Sequence, residues 1–278
     1  MKPLLRVAVH LLLEAARRRW FLALFGAITL VLVVLGFSLQ LDVVDGAIAG
    51  SKLFGNLLFD DIVSTDRAMN AVFVAVTYLS FYGGALFLAI ACADFAPELL
   101  APGRIEHLLS LPVARWQLLF GTFLGVVTLA AIGVLYGAGG LTVLLGVKTG
   151  VWSAQLLVGA GIGWCGFCAL YSVMLATNLF VRSAALSGAF GVLTLIGGCF
   201  ASYRESIAVA IAPGFGRELF KWSMLPFPRF ATLATTAARL AAAEALEPGA
   251  LPRLLVGCFI FSVAMLSIAT WRFERKDF

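Results

Sequence analysis

Residues 118–147 read LLFGTFLGVVTLAAIGVLYGAGGLTVLLGV, thirty positions without Asp, Glu, Lys, Arg or His. A hydrocarbon core about 30 Å thick is crossed by about 20 helical residues. The run is therefore long enough to span a bilayer, and a lone segment does so only as a helix that bonds its own amides. Within it, glycines recur one turn apart, at Gly121 and Gly125 and again at Gly133 and Gly137. Lipid gives helices no hydrophobic reason to associate, so small residues at this spacing, which let backbones approach closely, mark packing faces. The four glycines are candidates for helix packing or for pairing between two copies.

The same reading extends outward. Further apolar runs occupy residues 20–40, 68–92, 153–177, 183–201 and 254–271, and none contains an ionisable side chain of the acidic, basic or histidine type. The whole chain of 278 residues is 62% hydrophobic and 13% charged, with a mean hydropathy of +1.00. Soluble domains are roughly 45–50% apolar and 25% charged. The expected fold class is an all-α polytopic membrane protein, a single transmembrane domain over residues 1–278 with six spans and no soluble domain.

Residues 1–19 precede the first span. Arg6, His10, Glu14 and Arg18 recur every four positions against an apolar set of Leu4, Leu5, Ala8, Leu11, Leu12 and Ala15. That pattern predicts an amphipathic helix lying in the membrane interface. Residues 41–67 read as a polar outer loop carrying Asp42, Asp45, Asp60, Asp61 and Asp66, in a spacing that fits no Ca²⁺ loop. Gly50-Ser51-Lys52 lacks the preceding glycine spacing of a phosphate-binding loop. Residues 202–253 form a second outer segment. Trp222, Pro226, Pro228, Lys221 and Arg229 there suggest interfacial or re-entrant helices.

Six spans put both termini on one side. That side, comprising the termini, the segment 93–117 and the turn at Arg182, holds eleven of the twenty bases and six of the fifteen acids, and so carries the whole net charge of +5. The positive-inside rule makes it the cytoplasm. The bases sit at the ends of apolar runs, where they orient helices, so the pI of about 9.1 argues for membrane topology and against nucleic acid as a partner.

The charge-free spans argue against coupling to an ion gradient, which needs ionisable groups at membrane depth. Energy for transport would have to arrive through a partner. Cys165-Gly-Phe-Cys168 has dithiol spacing and sustains an alternative, a membrane-embedded thiol–disulfide electron carrier. A non-transporting membrane scaffold is a third reading. All five cysteines otherwise lie in or beside apolar runs, the habit of free buried thiols. No metal site is expected.

Residues 93–117 are a polar, proline-punctuated island between two spans, with Pro97, Pro102-Gly103 and Pro112 at its bends and a short helix expected from Arg104 to Leu111. The stretch Glu98 … Gly103-Arg104-Ile-Glu106-His107-Leu-Leu-Ser110-Leu-Pro112-Val-Ala-Arg115-Trp116-Gln-Leu-Leu-Phe-Gly121 resembles the signature of type-2 ATP-binding-cassette (ABC) permeases. Their loop after the second span reads as an acid, then Gly-Thr, then Glu-x-Leu-Leu-Ser-x-Pro-Val-x-Arg-x-x-Leu-Leu-Gly-Lys. Arg104 replaces the usual Thr, and Thr122 the usual Lys. The surface helix, the six spans, the long segment before the sixth span and the basic carboxyl end extend the likeness over the chain.

The resemblance implies the type-2 ABC exporter permease fold. It implies a subunit that pairs with a second copy, is bound by a cytosolic ABC ATPase, and uses 93–117 as a cytoplasmic coupling segment. Glu98, Arg104, Glu106, His107 and Arg115 become ATPase-coupling candidates. The chain itself would not be an enzyme and would bind no cofactor, with ATP and Mg on the partner ATPase. The expected location is the bacterial cytoplasmic (inner) membrane, with lipid around the spans and room for a periplasmic or outer partner. The transported substrate is not encoded in any motif.

Overall fold

A computed structural model describes residues 2–17, 20–44, 47–53, 56–59, 63–101, 103, 114–150 and 152–275. In chain order the helices are α1 (Lys2–Arg17), α2 (Trp20–Ser38), α3 (Thr65–Ala91), α4 (Phe95–Leu99), α5 (Arg115–Thr149), α6 (Gln155–Phe180), α7 (Ala184–Ser202), α8 (Arg204–Ala210), α9 (Phe215–Met224), α10 (Phe230–Ala241) and α11 (Ala250–Glu274). Among the described residues, five helical stretches are long and apolar enough to cross a membrane: Asn70–Glu98, Arg115–Thr149, Gln155–Phe180, Ala184–Ser202 and Ala250–Glu274. Leu22–Ser38 is a sixth apolar helix, shorter than these. The chain is a helical membrane protein; five of the expected spans fall on helices long enough to cross, and the first, residues 20–40, falls on the shorter Leu22–Ser38 stretch.

The connection between α2 and α3 differs from the expected loop. It carries an antiparallel sheet of β1 (Leu39–Val44), β2 (Ala47–Leu53), β3 (Asn56–Phe59) and β4 (Val63–Ser64). β2 pairs with each of the others, with Leu39 opposite Leu53, Lys52 opposite Leu57 and Ile48 opposite Val63. The physical reason is legible in the sequence. Leu39-Gln40-Leu41-Asp42-Val43 alternates apolar and polar residues, and Asp45-Gly46 between β1 and β2 is a strong hairpin dipeptide.

α6 is the centre of the bundle. It touches α3, α5, α7, α10 and α11, and every residue from Ala169 to Ala176 is buried. Three apolar clusters are threaded by it. One joins Leu11 and Ala15 of α1 to Val126 and Ala130 of α5 and Phe167 and Met174 of α6. A second joins Phe81 of α3 and Leu195 of α7 to α6 and α10. The third lies at the end where α4 and the carboxyl ends of α6 and α11 meet.

The glycine stripe of α5 is the bed for α1 and α2. Gly121 lies under Val7 and Leu4, Gly125 under Ala8 and Leu11, Gly133 under Leu24 and Gly137 under Ile28. All four candidates therefore serve close packing within the chain. α1 accordingly turns Leu4, Val7, Ala8 and Leu11 toward α5 and leaves Arg6 and His10 exposed.

Within 202–253, α10 is the deeply packed element. Phe230, Leu233, Ala234, Ala237 and Ala241 are fully buried against the bundle. Its 12 residues reach only about 18 Å at 1.5 Å per residue, too short to cross, so it enters the bundle and stops. A helix starting inside the bundle must find acceptors for its first amides. The side chain of its own N-cap, Arg229, supplies none. Ser202, the last residue of α7, does so instead: its Oγ accepts from the Ala231 amide at 3.0 Å and the Thr232 amide at 3.2 Å.

Candidate functional site

The site is the described part of the island and the helix ends it touches. Asp94 precedes α4, and the short helix sets Phe95 and Ala96 inward, with Leu100 following. Ala96 and Leu100 are each 1% exposed and join a cluster with Leu118 and Leu119 of α5, Leu175 and Leu179 of α6, and Leu266 and Phe273 of α11. Val7 of α1 packs against the same cluster. The start of the chain, the island and the end of the last helix thus share one end of the bundle.

Arg115 opens α5 and is half-buried. Its guanidinium donates to the carbonyls of Phe273 at 3.3 Å and Glu274 at 3.1 Å. These are carbonyls of the last turn of α11, beyond its regular i→i+4 bonding, and a cation there also complements the helix dipole. Beside it, the Gln117 side chain accepts from the Ala114 amide at 3.2 Å, closing the first turn of α5. Arg272 lies over the Phe180 ring at 5.5 Å, a second tie between α11 and the end of α6.

Of the ATPase-coupling candidates, Glu98 is half-buried on α4 and Arg115 reaches α11. Arg104, Glu106 and His107, with the short helix expected around them, lie outside the described residues. What the sequence reading missed is the bond between Arg115 and α11. A basic residue just before a long apolar run is equally a topology signal, and only the return of the last helix to this point reveals its partner.

Cys165 and Cys168 are half-buried free thiols within α6. Activated thiols sit at helix N-termini or beside cations. Cys165 is several turns into a helix that carries no charged residue from Gln155 to Phe180. No family model matches the chain. No curated protein matches it either. The likeness of residues 98–121 to type-2 ABC permeases therefore rests on those residues themselves.

Proposed function

We propose that this chain is the membrane subunit of an ABC exporter. It pairs with a second copy and takes its energy from a separate cytosolic ATPase docked at residues 93–117. The observation that carries the reading is the way the island is fastened. Ala96 and Leu100 are packed into the ends of α5, α6 and α11, and Arg115 holds the last turn of α11. A push on this segment is delivered to the central helix and to the last one together, because the packed contacts between them leave no slack.

The mechanism is mechanical. Nucleotide-driven closure of two ATPase subunits displaces the two islands, and each six-helix half moves as a packed unit. The coupling lies in contacts that differ between two states. By the positive-inside rule the island faces the cytoplasm of a bacterial inner membrane. Glu98, Arg104, Glu106, His107 and Arg115 are the residues assigned to ATPase contact, with Glu98 and Glu106 the best matches to acids of the family signature. The uncharged spans favour amphipathic or lipid-linked cargo over small ions.

The test is co-purification from native membranes. A stoichiometric ATPase is expected, whose hydrolysis rises when this chain is present. Glu106→Lys should weaken both association and stimulated hydrolysis, and wild-type values in that variant would overturn the docking assignment. The Cys165→Ser/Cys168→Ser variant should keep both, since no thiol chemistry is required.

A further inference from the structure

Between α2 and α3 lies a groove with a cavity of about 400 Å³. The two helices that wall it make no substantial contact with each other, although α2 packs on α5 and α3 packs on α6. Its floor is formed by α5 and α6, where Gly133, Gly137, Gly159 and Gly163 alternate with larger residues such as Trp164 and Phe167. At one end, the sheet spans the gap and touches α2, α3 and α5.

We infer that the groove holds an acyl chain of a bilayer lipid. The lips continue directly into the lipid-facing surface of the protein: Leu30 and Val31 on α2 and Leu79 and Phe87 on α3 are large, apolar and exposed. In a membrane-spanning bundle that surface borders hydrocarbon, and a groove opening from it fills with what borders it. The lining also specifies hydrocarbon and not a headgroup. Thr77 Oγ1 is bonded to the Phe73 carbonyl at 2.7 Å, and the Trp164 indole N–H to the Val127 carbonyl at 2.9 Å, so these two groups already have partners, and the hydroxyl of Ser80 is a small polar group in an otherwise apolar wall. Among the described residues, no Asp, Glu, Lys, Arg or His lines the cavity. The inference stands apart from the transport reading, because it needs neither ATPase nor cargo.

The test uses the full chain in phospholipid nanodiscs containing a phosphatidylethanolamine with a photoactivatable diazirine in its acyl chain. Label should appear on the peptide carrying Trp164 on the groove floor. A Cβ at Gly84, which lines the groove, meets nothing within 4 Å, so Gly84→Leu fills the groove without displacing backbone. Label at Trp164 should then fall about tenfold, the effect of excluding roughly two methylene groups. Gly257→Leu, on α11 and equally uncrowded, should leave it unchanged.

Absence of label at Trp164 in the wild-type protein overturns the inference, as does unchanged label in a folded Gly84→Leu variant. Dissociation of a dimer by Gly84→Leu, with no wild-type label at Trp164, would assign the groove to a second copy instead. The wild-type measurement decides even where the variant does not fold.

Discussion

Arg115 and Phe273, 158 positions apart, are joined by a hydrogen bond of 3.3 Å from the guanidinium to the carbonyl, with a second bond to Glu274 at 3.1 Å. A charge-assisted bond to terminal carbonyls contributes about 1–2 kcal/mol, including the dipole term. Arg115→Ala should lower the thermal midpoint of the solubilised protein and speed amide exchange at the end of α11. Arg115→Lys should recover part of the loss, because both carbonyls are met by a single guanidinium nitrogen and an ammonium keeps a cation with several donors, although on a shorter side chain. Unchanged exchange in the alanine variant would refute the tie.

Ser202 is the cap that α10 lacks. Ser202→Ala removes the acceptor for the Ala231 and Thr232 amides and strands them in the bundle, at a cost of about 1–2 kcal/mol. The expected signature is faster amide exchange confined to the first turn of α10. Protection equal to wild type would mean that another acceptor serves those amides.

Gly121 is predicted to be intolerant of any side chain. A Cβ there falls 2.6 Å from the Val7 Cβ and 3.1 Å from the Leu4 carbonyl. Gly121→Ala should therefore cost about 1–3 kcal/mol, as overpacked sites do, and release α1 to proteolysis. Gly257→Ala, where a Cβ meets nothing within 4 Å, should be neutral or gain about 0.5–1 kcal/mol from helix propensity. Parallel thermal melts of the two variants check the contrast.

Tyr171 is fully buried between stacked Phe123 and Phe167, and its hydroxyl is one of the buried polar atoms without a partner among the described residues. A buried hydroxyl with no bond costs roughly 1–3 kcal/mol. Tyr171→Phe keeps the ring stack and should raise the thermal midpoint. A lower midpoint would reveal a bond to the hydroxyl in the working protein.

The sequence alone located the apolar helices, five of them long enough to cross a membrane and one shorter, and the polar segment after the second. Those features depend on local quantities: run length, charge, proline and glycine. The alternation and Asp45-Gly46 that announce the sheet are equally local. Only the tertiary structure decided which helix is central, which face of α5 receives α1 and α2, what caps α10 and what Arg115 holds. The reason is physical. In lipid every side of a spanning helix is apolar, so hydrophobic periodicity no longer points to a neighbour. Close packing and individual hydrogen bonds choose the partners, and these join residues far apart in the chain.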